Sequence, residues 1–248
     1  MSEEKLSSDE LENRWTKLRT VLETQGTEAC IAAIQSEPQT IHRDQLFRWS
    51  IRKLGGGVGA ATAELDAMIA IGDAAIRNAM DTAGEDSANV IAYNLSANLC
   101  DCWGDGDSRN TNHFEAGLRY ADLALELRRK LKKGQGPFSM AYWVRGKHLL
   151  SLRKPDESAD AFRLYLDAER ALARENGGNP ELIESAPEGL LNAQAFLGLA
   201  LLRSGKNEGR AMLDEALGIL RIRTSVGEGD AKEDAKVYLD QIEESLKR

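Results

Sequence analysis

Apolar residues recur at intervals of three and four along nearly the whole chain, with polar residues between them. That period predicts amphipathic helices throughout. Leu11, Trp15, Leu18 and Leu22 form the first stripe, opened by Ser7 and Glu10 at capping-box spacing and ended by Gly26. Thr27 is placed to cap a short second helix through Ile34, which Pro38 closes. A third helix runs from about Thr40 to Leu54, with Leu46, Trp49 and Ile51 on its apolar side. Leu65, Met68, Ile69, Gly72, Ile76, Ala79 and Met80 trace a long fourth, and residues 81–84 form a turn. Val90, Tyr93, Ala97 and Cys100 mark the next helix. Asn112 and Glu115, again at capping-box spacing, open another with Phe114, Gly117, Leu118, Ala121, Ala124 and Leu125 inward.

The clearest pattern lies between Phe138 and Leu172. Tyr142, Gly146 and Leu149 share one face of a helix that breaks at residues 153–157, because proline is tolerated only in a first turn. Asp156 and Glu157 suit the positive end of the helix that Pro155 starts. Ala161, Phe162, Tyr165, Ala168 and Leu172 make its stripe, and Asn176, Gly177 and Gly178 stop it. A glycine inside a helix costs about 1 kcal/mol, so Gly146 marks a close approach of another backbone. Gly198 repeats the position in a later helix, Gly205 makes a turn, and Leu213 and Ala216 belong to the helix after it. The last helix, from Asp230, is apolar at Ala235, Leu239, Ile242 and Leu246 and charged almost everywhere else, as the end cap of a stacked array requires.

Tyr142, Gly146, Leu149, Ser158, Phe162 and Tyr165 stand in the order and spacing of the tetratricopeptide repeat, and the stretch from about Glu64 onward resembles that family. Ala97, Gly146 and Gly198 are 49 and 52 residues apart, longer than the basic repeat of about 34, and so more similar to the extended repeats of kinesin light chains. The resemblance implies an all-α superhelix of stacked hairpins, here about ten or eleven helices, that binds other proteins. It also implies that the first helix of each pair lines a groove, at Asn94 and Asn98, then Met140, Trp143 and Lys147, then Asn192 and Ala195. Asparagines there can bond a peptide backbone, and a lysine can meet a carboxylate. Trp143 serves either as an apolar anchor or as packing between repeats. Members that bind chaperone tails clamp a carboxylate with lysine and asparagine; Asn94 stands where the first lysine would be.

Composition narrows the partners. The few prolines and abundant Ala, Leu, Glu, Lys and Arg fit an all-helical chain. A net charge of −8 argues against nucleic acid, which requires a basic footprint. No run approaches the roughly 20 apolar residues of a membrane span. Three cysteines do not make a secreted disulfide framework, and the acidic start lacks the apolar core of a signal peptide, so a cytoplasmic protein is expected. The run Gly55 to Gly59 divides an N-terminal helical segment (1–54), of unassigned role, from a repeat domain (60–248).

No catalytic set emerges. The glycine run before Ala60 lacks the strand that a dinucleotide site needs. Cys100, Cys102, His113, Asp105 and Asp107 are close in sequence, but Cys-x-Cys on a helix splays its thiols, and a calcium loop from Asp105 would need glutamate where Ala116 stands. Arg128, Arg129, Lys130, Lys132 and Lys133 form a basic run, which complements a helix C-terminus or, as the alternative, meets an acidic patch on a partner. His42, His113 and His148 have no nucleophile and acid beside them in sequence. The expectation is a scaffold without enzymatic activity, cofactor or metal, binding a peptide or protein segment; the alternative is a regulatory sensor binding a small ligand or signalling peptide inside the superhelix.

Overall fold

A computed structural model describes residues 4–55, 60–102, 106–181, 185–227 and 229–247. Among them are eleven α-helices, one short 3-10 turn and no strand. The helices are α1 (Ser8–Gln25), α2 (Thr27–Gln35), α3 (Thr40–Gly55), α4 (Thr62–Thr82), α5 (Glu85–Asn98), α6 (Thr111–Lys130), α7 (Gln135–Ser151), α8 (Pro155–Glu175), α9 (Glu188–Arg203), α10 (Glu208–Val226) and α11 (Gly229–Leu246). Each packs mainly on the helices before and after it, with lighter contact between helices two apart, which is the arrangement of an α-α superhelix. None of the described helices is long and apolar enough to cross a membrane. Residues 56–59, where a domain boundary is expected, and Trp103 and Asp105 lie outside the described residues.

Most helix ends follow from local chemistry. Ser7 caps α1, its hydroxyl accepting from the Glu10 amide while the Glu10 carboxylate accepts from the Ser7 amide. Pro155 begins α8, with Asp156 and Glu157 in its first turn. Two caps differ from expectation. Thr27 is inside α2, whose cap is Gly26 at φ 89°, a left-handed conformation open to glycine. The box that opens α6 is not Asn112 with Glu115 but Asn110 with His113: the Asn110 side chain accepts from the His113 amide, and the His113 Nδ1 accepts from the Asn110 amide. Histidine can fill the place of glutamate because a neutral imidazole offers one bare nitrogen.

Glycines set how closely the helices approach. A Cβ on Gly146 would fall 2.5 Å from Cε1 of Phe162, so the neighbour there is an aromatic ring of α8 and not its backbone. Ser158 Oγ, one turn away, donates to the Gly146 carbonyl at 2.9 Å. Phe162 then stacks on Phe196 of α9 with centroids 5.3 Å apart, and burying such a side chain contributes roughly 1.5–3 kcal/mol. Backbone contact occurs instead between α9 and α10. A Cβ on Gly198 would meet the Gly209 carbonyl oxygen at 2.7 Å, and one on Gly209 would overlap the Gly198 carbonyl oxygen.

The apolar interior falls into two large groups. One runs from Leu6 to Leu127 and joins α1, α2 and α3 to α4, α5 and α6, so the first helices share a core with the array. The other runs from Leu150 to Ile242 across α7 to α11. Ala235, Leu239 and Ile242 of α11 seat in it, whereas Leu246 is 40% exposed. Between the two groups is a small one, Cys100, Cys102, Ala121 and Val144, with Tyr93, Ala97 and Trp143 packed against it.

Candidate functional site

A cleft of about 290 Å³ opens between α3 and α5, lined by Arg48, Ile51 and Arg52 from the first and Ile91, Asn94 and Asn98 from the second. The floor is apolar: Ile51 and Ile91 are buried there because they also face the first core. The rim is basic. The guanidinium of Arg48 donates to Asp44 Oδ2 at 2.8 Å and to the Ser87 hydroxyl. That of Arg52 lies over the Trp49 ring, 3.7 Å from its centroid, which holds a flexible side chain in a fixed place. Asn94 is exposed, and the half-buried Asn98 turns its amide toward Met68 Sδ of α4. The sequence pointed to the two asparagines; Arg48 and Arg52 were missed, since they precede the stretch in which a repeat is recognisable.

The other expected groove residues do not join this cleft. Met140 is 45% exposed on α7, and Trp143 is half-buried, packed against the second core and the small group beside it. Lys147 requires a correction: it is 1% exposed. Its Nζ pairs with Asp101 Oδ1 at 2.9 Å, donates to Ser245 Oγ of α11 at 2.6 Å, and stands 5.1 Å from the Phe196 ring centroid. Burial disfavours its charge, but Asp101 and the nearby thiols outweigh that, and its pKa is raised. Asn192 is likewise fully buried, its Oδ1 accepting from the Tyr165 hydroxyl at 3.4 Å. Ala195 is buried too. Helical period placed these residues on one face; it gave no sign that other parts of the chain cover that face.

The covering groups form a polar seam. Asp101 follows α5 and accepts through its other oxygen from Ser151 Oγ at 2.8 Å. His148 is fully buried, and its Nε2–H donates to the Ser96 carbonyl at 2.9 Å. Burial pushes its pKa down to about 4, so the ring is neutral at pH 7. Cys100 lies 3.7 Å from the same nitrogen, and burial pushes its thiol well above the usual range. His113, which the sequence sets near the cysteines, instead bonds Asp66 Oδ1 at 2.9 Å through Nε2. His42 is elsewhere again, against the Glu4 carbonyl. Among the described residues no three of His, Cys, Asp and Glu gather as metal ligands.

The basic run at the end of α6 has its own partners. Arg128 is buried over the Tyr93 ring and donates to Asn89 Oδ1 at 2.9 Å. Lys133 pairs with Asp86 at 2.8 Å, and Lys130 with Glu85 at 3.7 Å. These cations tie the end of α6 to the acidic start of α5. No family model matches the chain, and comparison with curated proteins and with solved structures returned no match.

Proposed function

We propose that the chain is a non-enzymatic scaffold that binds a peptide or protein segment in the groove of a helical-repeat superhelix. The cleft between α3 and α5 is the observation that carries this reading: two asparagine amides, an apolar floor and two fixed guanidinium groups converge in about 290 Å³. Amides offer both donors and acceptors and so match an extended backbone, while Ile51 and Ile91 suit one apolar side chain. Arg48 and Arg52 favour a partner carrying a carboxylate, against the negative charge of the chain as a whole. The similarity to tetratricopeptide repeats supports the same reading, with the groove shifted toward the N-terminal helices.

The test is an array of short peptides, acidic and neutral, probed with the parent and with Asn94→Ala and Arg52→Ala. Both variants change side chains on the surface, so the fold is expected to persist, as circular dichroism would verify. Loss of acidic peptides by both variants supports the groove. An unchanged capture profile sinks it.

A further inference from the structure

We infer that Cys100 and Cys102 are a peroxide-reactive pair: Cys102 takes an oxygen from hydrogen peroxide, and Cys100 closes on it to form a reversible disulfide. Both residues lie past the end of α5, which stops at Asn98. The splaying expected of Cys-x-Cys on a helix therefore does not apply, and the two thiols hydrogen-bond each other. They sit together in the small apolar group between the two large cores. Of the two, Cys102 meets an opening. It lines a cleft of about 360 Å³ whose other wall is α11, from Val237 onward. Cys100 faces inward: its Sγ is 3.6 Å from the Ser96 carbonyl oxygen and 3.7 Å from His148 Nε2.

A thiol that reacts with peroxide must ionise within reach of it, and a second thiol must stand close enough to finish the reaction. Cys102 is 6% exposed at the cleft, which admits a molecule as small as peroxide, whereas Cys100 is 1% exposed. Burial disfavours the Cys102 thiolate, but the hydrogen bond from Cys100 and the ammonium of Lys147 outweigh burial and the Asp101 carboxylate. Its pKa ends below the ordinary value. Cys100 goes the other way, pushed up first by burial, and so keeps the proton that it offers to Cys102. Cys30 is the contrast, fully buried in the first core with its thiol pushed up by burial. In the first step the Cys102 thiolate attacks one peroxide oxygen: an S–O bond forms, the O–O bond breaks, and the released hydroxide takes a proton to become water. In the second, the Cys100 sulfur gives up its proton and attacks the sulfenic sulfur. The S–S bond forms, the S–O bond breaks, and the second oxygen leaves as water. Two thiols and one peroxide give one disulfide and two waters. A thiol reductant reverses the product by exchange.

The test treats the reduced full chain with a small molar excess of hydrogen peroxide, stops the reaction with catalase, and alkylates in denaturant before mass spectrometry. Trypsin releases the stretch from Asn78 to Arg109, with both cysteines, as one peptide. It is expected lighter by two hydrogens and closed to alkylation, and dithiothreitol should restore it. The pair should oxidise at least about ten-fold faster than Cys30, which serves as the internal standard. Cys100→Ala should stop at the sulfenic acid, trapped on Cys102 by dimedone, and Cys102→Ala should leave Cys100 unoxidised. Circular dichroism verifies that both variants fold, and the parent's mass change tests the pair without them. Oxidation of the pair no faster than that of Cys30 would overturn the proposal. So would oxidation of Cys100 at the parent rate in Cys102→Ala, or a pair that oxidises only once the chain is unfolded in urea.

Discussion

The ring of His148 on α7 fills the notch that Gly117 leaves on α6: a Cβ at Gly117 would overlap the imidazole. Gly117→Ala therefore sets two effects against each other. Alanine favours the helix by about 1 kcal/mol, but forcing a methyl into a filled site costs typically 1–3 kcal/mol. The ring cannot retreat, because Nε2 is held by the Ser96 carbonyl. A net loss of roughly 1–2 kcal/mol is expected by urea denaturation. Gly218→Ala on α10 is the control, since a Cβ there meets nothing within 4 Å; it should stabilise by about 0.5–1 kcal/mol.

His148 also predicts a pH dependence. Its pKa in the folded chain is about 4, below the ordinary 6.5. Above pH 6.5 the ring is neutral folded and unfolded, and the full stability is present. As pH falls from 6.5 toward 4, the unfolded chain takes up a proton that the folded chain refuses, and stability is lost by up to about 3 kcal/mol. Denaturation of the parent and of His148→Gln at pH 7 and at pH 4.5 separates this contribution from that of the carboxylates. The drop should be clearly smaller in the variant.

Lys147 and Asp101 predict strong coupling. Their side chains are 2% and 7% exposed, so removing either one strands the other away from water. Lys147→Met should cost about 3–5 kcal/mol, and the double variant with Asp101→Asn should recover a good part of that. A double-mutant cycle on unfolding free energies measures the difference. Additive losses would mean that the two charges do not sense each other.

The interruption of the apolar core between α6 and α7 predicts that unfolding is not all-or-none. Trp15 and Trp49 report on the first core and Trp143 on the second. With the other tryptophans changed to phenylalanine, Trp143 alone should give a urea midpoint different from that of Trp15 and Trp49 together. Coincident midpoints would show that the seam transmits cooperativity fully.

Helical period and the punctuation of glycine and proline made the fold readable, because both act within a few residues. Ser7, Pro155 and Gly177 do in the structure what their chemistry implies locally. The site was less readable for the same reason. Lys147 belongs on the face of Met140 and Trp143 by spacing, yet it is buried by Ser245, 98 residues away, and by Asp101. Asp101 drew no notice between two cysteines, and Ser245 passed for one more polar residue on a capping helix. His148, rather than His113, stands beside Cys100 because the packing of α5 against α7 brings them together, a relation without a local signature.

Gly198 and Gly209 bear on how sequences with this fold can diverge. Each would place a Cβ against the carbonyl oxygen of the other, and neither has a smaller residue to retreat to. A change at one therefore has no compensating change at the other, whereas growth at Gly146 can be answered by a smaller side chain at Phe162. Among descendants of this chain, positions 146 and 162 are free to drift as a pair. Positions 198 and 209 are locked: one substitution there must reopen the whole junction of α9 with α10.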